Sequence, residues 1–192
     1  MTSVGSRRSG GSTSATRLAR RAAFAGVQTL LARRQRRGED VGVTSDRAQL
    51  AVALELATAA HRGQVYPSPE LEPYICHPIR VMEALEEGDE QIVALLHDVL
   101  EDTTVDVAEL HERGFGEHIV RAVLLLTHGG TVLYADYIER LADDPLARRA
   151  KLADLADNLR NNRRLKSTSG VRARISRYEA AQHVLEAWSR AD

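Results

Sequence analysis

Four short segments of this 192-residue chain hold the side chains best suited to chemistry: His77-Pro78, His97-Asp98, Glu101-Asp102 and Lys151-Leu152-Ala153-Asp154. They supply two imidazoles and two carboxylates for one divalent metal, with two further carboxylates beside it. That assortment suits metal-assisted hydrolysis of a phosphate ester. The ion lowers the pKa of a bound water and polarises a phosphoryl oxygen; Glu101 or Asp102 orients that water and handles its proton. His97 and Glu101 are four apart, as are Asp98 and Asp102, so on one apolar helix each pair stacks on adjoining strips of the surface. Acids at a helix C-terminus oppose its macrodipole. Four polar groups directly after Ile92-Val93-Ala94-Leu95-Leu96 therefore need a reason to be there, and metal binding supplies one.

His77 sits at a helix start, where Pro78 fixes its direction, and becomes a third ligand beside His-Asp. Asp154 is the fourth candidate; its neighbours Leu152, Ala153, Leu155 and Ala156 point it into a pocket, with Asn158 on the same face and Asp157 nearby. Two His and two carboxylates suit Mn²⁺, Fe²⁺ or Zn²⁺ and do not choose among them. Arg62, Lys151, Arg160 and Arg163 are candidates by sequence position to hold substrate phosphates. His61 closes the first helix and orients a loop or a ligand. His111, His118, His128 and His183 read as surface or packing residues, and Cys76 as a small packed side chain.

The elements that must position these groups are helical. A helix runs from a cap at Thr44, Ser45 or Asp46 to about Arg62, with Leu50, Ala53, Leu54 and Ala57 on one face. Gly63, Pro67, Pro69 and Pro73 mark a loop. Pro78 opens a helix to about Glu87. Asp89 caps another that continues through Leu100. Asp106 and Glu109 form a capping-box-like pair for a short helix, Gly116 precedes the next, and Gly129-Gly130 breaks the pattern. Tyr134–Ala142 resumes it, Asp144-Pro145 starts a helix to about Asn161, residues 167–170 form a loop, and a last helix spans about Val171 to Arg190. No β-alternation is convincing, so the fold class is all-α, one domain over residues 44–192 with no internal repeat.

Length suffices for one core. Hydrophobic residues make up 43% and aromatics only 4%, so that core is Leu, Ala and Val. The single cysteine excludes an internal disulfide and a cysteine-based zinc site, and a cytoplasmic setting is the simplest. No apolar run reaches the ~18 residues of a transmembrane span. The net charge of -1 hides an asymmetry: residues 1–40 carry nine Arg against Glu39 and Asp40, the remainder 17 basic against 25 acidic residues. Residues 1–43 form a basic low-complexity tail, disordered over 1–16 and able to form a basic helix over 17–37. A solvated tail is the plain reading; contact with a membrane surface or nucleic acid, and organelle targeting, are the alternatives.

The stretches Ala60-His61-Arg62-Gly63-Gln64, Tyr74-Ile75-Cys76-His77-Pro78, Leu95-Leu96-His97-Asp98-Val99-Leu100-Glu101-Asp102-Thr103, Phe115-Gly116, Thr127 and Lys151-Leu152-Ala153-Asp154 with Asn158 resemble the HD-type phosphohydrolases. They look most like the hydrolase domain of RelA/SpoT-type alarmone enzymes and the stand-alone small alarmone hydrolases, over roughly residues 46–185. The resemblance implies an HD-type all-α domain holding one Mn²⁺ by His77, His97, Asp98 and Asp154, with Glu101 and Asp102 as the water-activating pair. It implies substrate contacts from Asn158 and Tyr178, and removal of the 3′-pyrophosphate of guanosine tetraphosphate or pentaphosphate. One departure stands out. Tyr66 and Pro67 occupy positions where the alarmone hydrolases usually place basic residues, so a phosphatase or pyrophosphatase for a less charged nucleotide is the rival enzyme. A nucleotide-binding regulator without turnover is the rival of a different class.

Overall fold

The computed structural model describes residues 46–190 apart from Glu87 and Thr131. The chain divides into two units, Met1–Val43 and Thr44–Asp192, and the described residues belong to the second. The basic tail and the expected cap at Thr44 or Ser45 lie outside them.

Among the described residues the architecture is helical: α1 (Asp46–Ala60), α2 (Cys76–Glu83), α3 (Asp89–Leu96), α4 (Val99–Asp102), α5 (Val107–Glu112), α6 (Glu117–Leu126), α7 (Tyr134–Ala142), α8 (Pro145–Asn162) and α9 (Ser169–Ser189). The extended pairing present is an isolated antiparallel bridge, Val65 to Pro73, inside the α1–α2 loop. No helix among these residues is long and apolar enough to cross a membrane.

Local chemistry sets the helix ends. Asp144 accepts from the backbone N–H groups of Leu146 and Ala147 at 3.0 Å each, with Pro145 in the first turn, satisfying donors that have no partner within the helix. Asp106 accepts from Glu109 N–H at 3.0 Å. Several boundaries differ from the sequence expectation, among them the end of α2, at Glu83 rather than about Glu87. Gly88, at φ 102°, makes the turn into α3, a conformation that glycine adopts without a Cβ clash; Asp89 is then the first helical residue rather than the cap. Thr168 caps α9, so that helix begins at Ser169. Most consequentially, the expected single helix through Asp102 is interrupted. α3 ends at Leu96, His97 and Asp98 form a turn, and α4 restarts at Val99.

α3 lies at the centre, packed against α1, α2, α6 and α8. Residues Ile92 to Leu96 are fully buried, as expected for a helix apolar on all sides. α8 packs against α2, α3, α6, α7 and α9. These two helices have partners on several sides, and each carries chemically active side chains at a point where burial is nearly complete.

Candidate metal centre and adjoining cavity

Burial in the core makes each polar side chain here depend on its neighbours for hydrogen bonds. His97, at the end of α3, is 2% exposed. Its Nδ1 lies 2.7 Å from the Ala94 carbonyl oxygen, which only accepts, so Nδ1 carries the proton. Its Nε2 is buried and has no hydrogen-bond partner. On α2, His77 is 1% exposed, and its Nδ1 donates to Asp157 Oδ2 at 2.8 Å. The two Nε2 atoms thus present lone pairs toward a common point.

Two carboxylate oxygens meet them there. Asp154 Oδ1 is 3.2 Å from His77 Nε2 and 3.7 Å from His97 Nε2. Asp98 Oδ2 is 2.9 Å from His97 Nε2, out of line for a hydrogen bond, and 3.8 Å from His77 Nε2. The ligand atoms of His77, His97 and Asp154 all lie within 4.8 Å of one another. The nitrogen–oxygen separations of 2.9–3.8 Å lie near the roughly 3–3.6 Å between atoms bound at ~2.0–2.2 Å to one ion. Four lone-pair donors facing one another repel unless a positive charge lies between them. An unpartnered buried nitrogen and this N₂O₂ donor set fit a divalent transition metal.

The electrostatics agree. Burial pulls the His77 imidazolium down, but Asp154 and Asp157 outweigh it and push the pKa up to about 9. Burial likewise opposes the His97 imidazolium, and the Asp98 charge reverses that, so its pKa is also raised. Burial would raise Asp154; Lys151 and the two histidines hold it below the usual carboxylate range instead. Asp98 is lowered against burial, mainly by His97. The pocket favours positive charge.

Hydrogen bonds leave mainly one oxygen of Asp154 turned toward the two histidines. Its Oδ2 accepts from Lys151 Nζ at 2.7 Å, and Asn158 Nδ2 donates to Oδ1. Beside the cluster, Glu101 Oε2 accepts from the backbone N–H of His128 at 2.8 Å. Burial and the nearby Asp102 and Asp98 charges raise the Glu101 pKa against that donor. Tyr74 donates to Asp98 Oδ2 at 2.7 Å and lies 3.2 Å from Asp102 Oδ2. A cavity of about 300 Å³ opens here; Asp98, Glu101, Asp102, Lys151, Asp154, Asn158 and Tyr178 all line it.

Not every residue singled out from the sequence meets at this point. Arg62 is exposed at the end of α1 and is not among the cavity-lining residues. Arg160 is paired with Asp157, and Arg163 with Glu179 at 2.9 Å. Lys151 is in the cavity, but its charge is committed to Asp154. His128, read as a surface or packing residue, lines the cavity, as do Tyr134, Tyr137 and Arg177. Sequence reasoning missed Tyr74, Arg80 and Arg177. Tyr74 lay within a quoted stretch three residues before His77, whereas nothing local marks Arg80 or Arg177. His61 accords with its expected orienting role: its Nδ1 is 2.8 Å from Gln64 Oε1, and its ring stacks on Tyr74 at 4.7 Å.

No protein-family model matches the chain. It is 37% identical over 147 residues to a Mus musculus protein named guanosine-3′,5′-bis(diphosphate) 3′-pyrophosphohydrolase MESH1, covering 70% of this chain and 80% of that one. A protein of Aquifex aeolicus named guanosine-3′,5′-bis(diphosphate) 3′-pyrophosphohydrolase is 35% identical over 152 residues, 71% of this chain but 21% of that longer one. Among solved structures, one described as "A metazoan ortholog of SpoT hydrolyzes ppGpp and plays a role in starvation responses" superposes with a TM-score of 0.58. It is 24% identical, with 78% of this chain and 98% of that chain covered, and so shows a shared fold.

Proposed function

This chain belongs to the guanosine-3′,5′-bis(diphosphate) 3′-pyrophosphohydrolase family, and from that premise we propose that it is an HD-type metal-dependent phosphohydrolase removing the 3′-pyrophosphate of guanosine tetra- and pentaphosphate. The observation that carries the reading is the convergence of His77, His97, Asp98 and Asp154 beside a cavity that also holds Glu101 and Asp102. We take the ion to be Mn²⁺, in line with the resemblance in the motifs; the donor set also accommodates Fe²⁺ and Zn²⁺. We take the setting to be cytosolic, where a soluble nucleotide substrate would be met.

When bound, the cation supplies Lewis acidity, drawing charge from a phosphoryl oxygen and from the attacking water. Glu101, fixed by the His128 N–H and raised in pKa, takes the water proton. Asp102, tied to Tyr74, orients that water from the other side. The water oxygen joins the 3′-phosphorus, the bond from phosphorus to the ribose 3′-oxygen breaks, and that oxygen leaves with a proton as the 3′-hydroxyl. The products are pyrophosphate and the guanosine 5′-phosphate. Lys151 keeps Asp154 ionised and oriented, while Asn158 and Tyr178 face the substrate from α8 and α9.

A second reading has a specific observation behind it. The cations lining the cavity are Lys151 and Arg177, and Lys151 is already paired. A nucleotide ester with fewer phosphates would suit that modest charge. Purified protein with Mn²⁺ is expected to convert guanosine tetraphosphate to pyrophosphate and GDP, resolved by anion exchange beside mono-phosphorylated nucleotides. Asp98→Ala should lose both metal and turnover. Glu101→Gln should keep the metal and lower kcat by ~10²–10⁴-fold. Turnover surviving in both variants would exclude this site, and faster turnover of the mono-phosphorylated esters would favour the second reading.

A further inference from the structure

Two almost fully buried residues have no part in the chemistry just described: Asp157, 4% exposed, and Tyr66, 3% exposed. Both close on His77. Asp157 Oδ2 accepts from His77 Nδ1 at 2.8 Å. The Tyr66 ring lies flat on the imidazole, with centroids 4.7 Å apart and planes 8° apart. We propose that Asp157 and Tyr66 are positioning residues that lock the His77 imidazole in its ligating orientation and so set this chain's affinity for its divalent cation. The inference rests on the metal reading above.

An imidazole has two torsions and two tautomers to fix. The bond to Asp157 fixes the tautomer and excludes a ring flip, since a flip would turn a C–H toward the carboxylate. The Tyr66 face blocks rotation out of plane. Asp157 is itself held from three sides. Arg80 Nε donates to Oδ1 at 2.8 Å and Arg80 Nη2 is 3.1 Å from Oδ2, while Arg160 also pairs with Oδ1. Arg80 is anchored in turn by Glu72 at 2.7 Å, and its guanidinium sits 5.4 Å from the Tyr66 ring centroid. Charge balance matters as well as geometry. Neutralising Asp157 would strip Arg160 of this partner and leave Arg80 with Glu72 alone, adding net positive charge beside the cation.

Tyr66 reaches a second ligand. Its hydroxyl donates to Asn158 Oδ1 at 2.9 Å, and Asn158 Nδ2 donates to Asp154 Oδ1. One side chain thus touches His77 through its ring and is linked to Asp154 through Asn158. The residue that departs from the basic pattern at the substrate loop therefore serves the metal side of the site. Partners that orient a ligating histidine typically change metal affinity by ~10–100-fold when removed.

The test measures Mn²⁺ affinity by chelator competition on the full chain, independently of turnover. Asp157→Asn is expected to bind ~10–100-fold more weakly and to regain most of its turnover at saturating Mn²⁺. Tyr66→Leu should weaken binding in the same direction, whereas Tyr66→Phe, which keeps the ring, should bind more tightly than Tyr66→Leu. In the Zn²⁺-loaded protein the His77 Nδ1–H resonance should shift in Asp157→Asn. The core control Leu185→Ala should lose stability with Mn²⁺ affinity unchanged. Should Asp157→Asn fail to fold, Arg80→Gln, whose side chain is 28% exposed, carries the same expectation. Wild-type affinity in Asp157→Asn (or Arg80→Gln) together with Tyr66→Leu would overturn the proposal while leaving the metal reading intact. A wild-type chain that binds no divalent ion would overturn both.

Discussion

At the scale of single residues, His77 is where proton and metal compete. Its Nε2 lone pair serves either an ion or a proton, and the surrounding carboxylates raise its pKa from 6.5 to about 9. A raised histidine pKa means that, in the metal-free protein, the proton-bound form contributes stability. That contribution is complete below pH 6.5 and is lost as the pH climbs through about 9. Metal binding must displace this proton. Mn²⁺ affinity is therefore expected to rise across the window from pH 6.5 to about 9 and to level off above it. Titration calorimetry at pH 7.5 in buffers of different ionisation enthalpy should show proton release. A pH-independent affinity without proton release would remove His77 from the ligand set.

At the scale of elements, the site depends on α8 and on the interruption between α3 and α4. Equal spacing suggested that His97 with Glu101, and Asp98 with Asp102, stack along one helix. Asp98, at φ -102° and ψ -6°, instead lies in the bridge region, where many active-site residues are found. The turn lets His97 and Asp98 converge on one point while Glu101 reaches the His128 backbone. α8 brings Lys151, Asp154, Asp157 and Asn158 to the same place from a start fixed by Asp144. Asp144→Ala removes two capping bonds and an ion pair to Arg121 at 3.0 Å. It should cost ~1–2 kcal/mol of stability, read by urea denaturation of the metal-free protein. A loss below ~0.3 kcal/mol, within ordinary surface variation, would show that packing alone fixes the start of α8.

At the scale of the whole molecule, the proposed metal centre would tie together parts of the chain that pack through a common core. His77 comes from α2, His97 and Asp98 from the α3–α4 turn and Asp154 from α8. An ion that binds only the folded chain stabilises it by mass action. Mn²⁺ at ~100 times its Kd should add about 2.7 kcal/mol, visible as a higher urea midpoint that EDTA reverses. Asp98→Ala should not respond to added Mn²⁺. An unchanged wild-type midpoint would argue that the four groups do not share an ion.

The all-α class, the principal helices and the four proposed ligands were legible in the sequence, because apolar periodicity, capping residues and the His-Asp pair act over a few residues and leave local marks. The pattern of Asp106, Gly116 and Asp144-Pro145 fixed helix starts for the same reason. Tertiary structure alone decided which charges are spent on partners. Arg160 and Arg163 pair with Asp157 and Glu179, and Lys151 with Asp154, so being basic and nearby did not make them free. It also decided the places of Tyr66 and Asp157. Their partners lie 92 and 80 positions away along the chain, and no local pattern encodes an approach that only the packing of α2 against α8 creates.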